Sequence, residues 1–67
     1  MRTKFKIFYV SGRIELCEWD LQTFNIFAEC FSAETHKRFF IHDEKTNIKH
    51  VFNFDVIEHL EHIEDLD

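Results

Sequence analysis

The sequence predicts an α+β fold in the order ββαββα, a four-stranded antiparallel sheet with two helices on one face. Three features predict it: two hairpin patterns, an aromatic–aspartate pair closing each (Trp19-Asp20 and Phe54-Asp55), and an amphipathic helical period after each pair. A sheet that buries one face under two helices satisfies the two-layer rule for small domains. The chain has 67 residues, enough for a single compact domain, 1–67. A domain of that size buries only about 60% of its unfolded surface. Nine Phe, one Trp and one Tyr make its core efficient, while one Gly and no Pro leave little slack.

Lys4-Phe5-Lys6-Ile7-Phe8-Tyr9-Val10 is rich in aromatic and β-branched residues and reads as the first strand. Ser11-Gly12 is a natural hairpin turn, and the alternating run Arg13 to Trp19 is the second strand. Asp20 can cap a helix whose Leu21, Phe24, Phe27, Ala28 and Phe31 gather on one side. Ser32 to Thr35 ends that period. Lys37 to His42 returns to strand character, Asp43 to Asn47 is a polar turn, and Ile48 to Phe54 alternates as the fourth strand. In the last stretch Val56, Ile57, Leu60 and Ile63 follow the i, i+1, i+4, i+7 spacing of a buried helical face. Asp55 with Glu58 resembles a capping box. The alternative is a small SH3-like or Sm-like barrel with one helix, in which Asp55-Val56-Ile57 turns and Glu58 to Glu64 form a fifth strand.

Charge is uneven along the chain. The formal net charge is −5, which disfavours non-specific nucleic-acid binding and favours basic partners. Residues 1–13 carry Arg2, Lys4, Lys6 and Arg13 without an acid, whereas residues 55–67 carry six carboxylates without Lys or Arg. The two poles either lie apart and steer partners or lie together and pair. On the expected last helix Glu58, Glu61, His62 and Asp65 form an acidic stripe opposite the apolar face, the expected contact with a basic protein surface. A nucleic-acid reading would use Lys4, Lys6, Lys37, Arg38 and Lys49, interleaved with aromatics.

No pattern points to catalysis or a cofactor. His59 and His62 could share a metal, but His36, His42 and His50 lie on other elements, so no metal is assigned. Cys17 and Cys30 lack the spacing of a zinc site or disulfide framework and read as reduced packing residues. Gly12 belongs to a hairpin and not to a phosphate loop. With no span-length apolar run and no signal-peptide pattern, a cytoplasmic protein without membrane attachment is expected.

Alternation also implies a second apolar surface. If Phe5, Ile7, Ile14, Leu16, Ile48, Phe52 and Phe54 face the helices, then Phe8, Val10, Cys17, Trp19, Phe40 and Val51 form an association face for a homodimer or protein partner. In general character the chain resembles the small, acidic, aromatic-rich proteins that bacteriophages make to bind and disable host proteins. The residues themselves point to a non-enzymatic protein-binding module that engages a basic surface, such as a nucleic-acid-binding site on its target, through the acidic C-terminal helix. The resemblance carries no residues over and adds only that such a module is a phage-type inhibitor of a host protein. The alternatives are a self-associating structural or assembly protein and a nucleic-acid-binding domain.

Overall fold

A computed structural model describes residues 1–66. In chain order it contains β1 (Arg2–Tyr9), β2 (Ile14–Asp20), α1 (Leu21–Ala33), β3 (Arg38–Asp43), β4 (Ile48–Asn53), a 3-10 turn η1 (Phe54–Val56) and β5 (Ile57–Leu66). The strands form two antiparallel sheets, β2-β1-β5 and β3-β4. Among the described residues the fold is therefore mostly β, with five strands and one helix, and the expected four-stranded sheet with two helices is overturned. The alternative reading placed a turn and a fifth strand in the last segment, as found. Among the described residues the two sheets nevertheless share no strand, so they do not close into a hydrogen-bonded barrel.

The first hairpin follows from its turn residues. Gly12 N–H donates to Tyr9 O and Tyr9 N–H to Arg13 O, each at 2.9 Å, with Gly12 at φ +93°. This is a three-residue loop whose last position needs a left-handed backbone, which Gly adopts without a steric penalty. The helix begins as expected: Asp20 accepts from the Gln22 and Thr23 N–H groups at 3.1 and 3.4 Å. Phe24 and Phe27 are buried beneath the sheet, while Ile26 points to solvent.

Residues 55–66 are not the predicted helix. Asn53 accepts from the Asp55 N–H at 3.1 Å to start η1, and β5 then pairs along all of β1. A helix here would stack like-charged carboxylates at i+3 and i+4 and leave one edge of β1 open. In the strand, Glu61 and Glu64 instead lie opposite Lys6 and Lys4, with Lys4 Nζ 3.7 Å from Glu64. The basic and acidic poles are thus adjacent and share the Lys4–Glu64 ion pair, while Arg2 and Arg13 pair with Glu18 and Glu15 of β2. The apolar set behind the helical expectation does not share a face: Val56 ends η1, and Ile63, like Glu58, is an extra residue in a bulge, so the residues facing Tyr9, Ile7, Phe5 and Thr3 are Ile57, Leu60, His62 and Asp65.

The core centres on Phe27, which is fully buried and meets Trp19, Phe39, Phe52 and Phe54 at ring-centroid distances of 4.9–5.5 Å. Those rings come from β2, β3, β4 and η1, so one side chain joins both sheets. Phe27→Ala should cost about 3–5 kcal/mol, much of the roughly 3–10 kcal/mol expected for a domain of this length. Chemical denaturation checks this, and a wild-type midpoint would contradict it. Conversely, Glu34 caps α1 at φ 56°, a conformation costly for a residue with a side chain. Glu34→Gly should raise the denaturation free energy by about 0.5–1 kcal/mol.

Candidate binding cleft

The strand edges decide where this molecule is open. β2 is an edge of its sheet and β4 an edge of the other. Between them runs a cleft of three adjoining depressions of about 310, 150 and 330 Å³. His50 lines all three. The middle depression has an apolar floor of Cys17, Trp19, Ile41 and Phe52. Arg2, Glu18, Asp20 and Asp43 surround one end, and Tyr9, Arg13, Glu15, Asn53 and Val56 the other.

Charge differs between the ends. Arg2 Nε lies 3.3 Å from Glu18 Oε1, and Arg13 Nη2 4.0 Å from Glu15 Oε1. Asp20 and Asp43 have no ion-pair partner among the described residues; each carboxylate instead accepts from backbone N–H groups. The Lys45 N–H holds the Asp43 carboxyl below its ordinary pKa, so it is ionised at neutral pH. The end near Asp43 is net negative and the end near Arg13 is neutral. Burial pushes the Cys17 thiol up to about 11, with Glu15 adding to the rise. It is therefore a protonated, weakly nucleophilic group on the cleft floor. Burial and the bond to Glu15 likewise push Tyr9 up to about 12.

A second polar grouping joins β1 to β5. Thr3 Oγ1 donates to Asp65 Oδ1 at 2.9 Å, and His62 Nε2 lies 2.9 Å from the same oxygen. The carboxylate stands between hydroxyl and imidazole, so the histidine has no contact through which to take the threonine proton. Thr3 is also fully buried. The grouping therefore fastens the sheet. Among the described residues no set of three or more His, Cys, Asp and Glu side chains is placed to hold a metal ion. Nor is any helix among them long and apolar enough to cross a membrane.

The expected contact residues do not share one surface. Of the acidic set, Glu61 lies on the outer face of β5, His62 and Asp65 on the face toward α1, and Glu58 in a bulge. Of the apolar set, Cys17 is opposite the buried Phe5, and Trp19 packs edge-on to Phe5 and Phe27, so both belong to the core. Phe8 is on the outer face of β1, stacked on His59 at 4.2 Å. Val10 is at the hairpin, while Phe40 and Val51 pair on the second sheet. The outer face of the larger sheet instead exposes Ile14 and Leu16, at 55% and 61%. Cross-strand pairing fixes this, because directly opposed residues share a face. The β2–β4 cleft was missed, since which strand edges stay unpaired is a property of the whole topology. Comparison with protein-family models, curated proteins and solved structures finds no match.

Two outcomes follow from these groups. Asp65 has its pKa lowered first by His62 and then by Thr3. Its stabilisation is therefore complete above the unfolded value of about 3.9 and is lost as pH falls through the lower folded value. Thr3→Val should raise the Asp65 pKa in an NMR carboxyl titration and move acid unfolding to higher pH; unchanged values would contradict the bond. The Cys17 thiol should be alkylated far more slowly at pH near 8 in the folded than in the denatured chain, read by mass spectrometry.

Proposed function

We propose that this chain is a non-enzymatic protein-binding module that receives a segment of a basic partner in the β2–β4 cleft. The observation that carries the proposal is the cleft itself. It runs the length of β2, has an apolar middle, and is net negative at one end. A small molecule is usually enclosed on most of its surface, whereas this cleft is a channel open along its length, which suits a polypeptide segment. The overall charge of −5 supports a basic partner by electrostatic steering.

Panning a displayed library of random linear peptides tests this. Enriched peptides should bind the wild-type chain and lose about tenfold or more in affinity against His50→Trp, which fills a position common to all three depressions. Ile26→Trp, on the exposed side of α1, should leave binding unchanged. Failure to enrich any peptide, or equal binding to His50→Trp, would overturn the proposal.

A second reading rests on Ile14 and Leu16, exposed beside Phe8 on the outer sheet face. That reading is self-association, and apolar groups gathered on one face favour it. Sedimentation equilibrium should then show a dimer that Leu16→Glu dissociates; a monomer at high concentration would exclude it.

A further inference from the structure

The backbone hydrogen bonds show which groups the cleft offers. β1 and β2 exchange bonds at Tyr9/Arg13 and again at Leu21/Met1. Bonded and non-bonded pairs alternate in an antiparallel ladder. With the observed register, Thr3/Trp19, Phe5/Cys17 and Ile7/Glu15 are therefore bonded, while Ile14, Leu16 and Glu18 turn their N–H and C=O groups away from β1. The Arg2 guanidinium confirms this by donating to the outward Glu18 carbonyl. On the other side, Phe54 N–H donates to Lys37 O. The same alternation turns Lys49, Val51 and Asn53 away from β3. The free edge of β2 thus presents outward backbone donors and acceptors beside the cleft, and Glu18, Val51 and Asn53 among the outward residues line the depressions themselves; unpaired rows of that kind template an added strand.

The rows run in opposite directions. β2 ascends from Arg13 toward Asp20, whereas β4 runs from the Asp43 end toward Asn53. One inserted strand is then antiparallel to only one of them. Resting on the protein-binding reading above, we infer that the occupant is an extended segment pairing antiparallel to β2, with an apolar residue over Trp19 and Ile41 and a Lys or Arg two positions before it, beside Asp43. Antiparallel pairing to β2 places the segment's N-terminal side at the Asp43 end. Residues two apart in a strand share a face and are separated by about 6.6 Å, so one side chain enters the apolar depression while the earlier one enters the negative one. The depression of about 150 Å³ limits the apolar residue to a modest size. Arg2, already bonded to Glu18, blocks one outward carbonyl, so Ile14 and Leu16 carry the main-chain bonds.

The test uses short synthetic peptides with a central valine, lysine, glutamine or glutamate two positions before it, and threonine elsewhere. Fluorescence anisotropy should rank them lysine, glutamine, glutamate. Asp43→Asn, which retains an acceptor for the Lys45 N–H, should weaken the lysine peptide about 2- to 5-fold, as an exposed ion pair allows. It should leave the glutamine peptide unchanged. Bound peptide should slow amide exchange at Ile14 and Leu16, and Leu16→Pro, lacking that N–H on an edge strand, should weaken every peptide. Should Leu16→Pro not fold, the exchange data in the wild-type chain decide. Binding that is lost in His50→Trp yet shows neither Ile14 and Leu16 protection nor a lysine preference overturns this inference and leaves the protein-binding reading standing. If neither these peptides nor any library peptide binds, both readings fall.

Discussion

The pairing of the first strand with the last is the constraint from which the rest of this molecule follows. β1 carries Lys4 and Lys6 on its outer face, and β5 returns Glu64 and Glu61 opposite them. That match sets a basic segment beside an acidic one, with Lys4 and Glu64 in ion-pair contact. It also makes β1 the central strand, so Thr3, Phe5 and Ile7 are covered by neighbours on both sides and by α1 beneath. Exposed ion pairs contribute little individually. Their value here lies in register: a slip by one residue would set Lys against apolar groups and turn Phe5 and Ile7 to water.

Once β5 occupies one side of β1 and β2 the other, the β3–β4 hairpin has no place in that sheet. It is held instead by rings: Phe39 and Phe52 meet Phe27, and Phe52 meets Trp19. Packing without strand pairing leaves the edges of β2 and β4 open. Proteins commonly blunt such edges with charge, and Arg2 on the Glu18 carbonyl does so at one point. In the proposed function the remainder carries recognition. The binding reading is thus a consequence of the same topology that builds the core.

Much of this was legible from local chemistry. Gly12 marked the first hairpin, Asp20 the start of the helix, and the spacing of Phe24 and Phe27 its buried face. The polar run before Ile48 marked the second turn, where Asn47 at φ 56° takes the left-handed position. The last segment reads as a helix because Val56 in η1, Ile57 and Leu60 on the inner face of β5 and Ile63 in a bulge fall at helical spacing without sharing a face. Local spacing does not distinguish a bulged strand from a short helix. The decision is made by β1, far away in sequence, which supplies backbone partners and opposite charge. The sheet faces were misassigned for a related reason: Phe5 was grouped with Ile14 and Leu16, but the three-residue turn sets Phe5 opposite Cys17. The cleft needs all of these placements at once, so no single stretch encodes it.

The central claim is that the chain's last segment is a strand on β1, which leaves β2 and β4 as open edges beside the cleft. Nuclear Overhauser contacts in the free protein test it most directly. The predicted result is a cross-strand Hα–Hα contact between Ile7 and Leu60, a directly opposed pair whose Cα atoms approach to about 4.5 Å where the ladder is not bonded. Medium-range contacts from Hα of one residue to the amide three positions on, running through Glu58 to Glu64 in place of that contact, would show a helix and contradict the account.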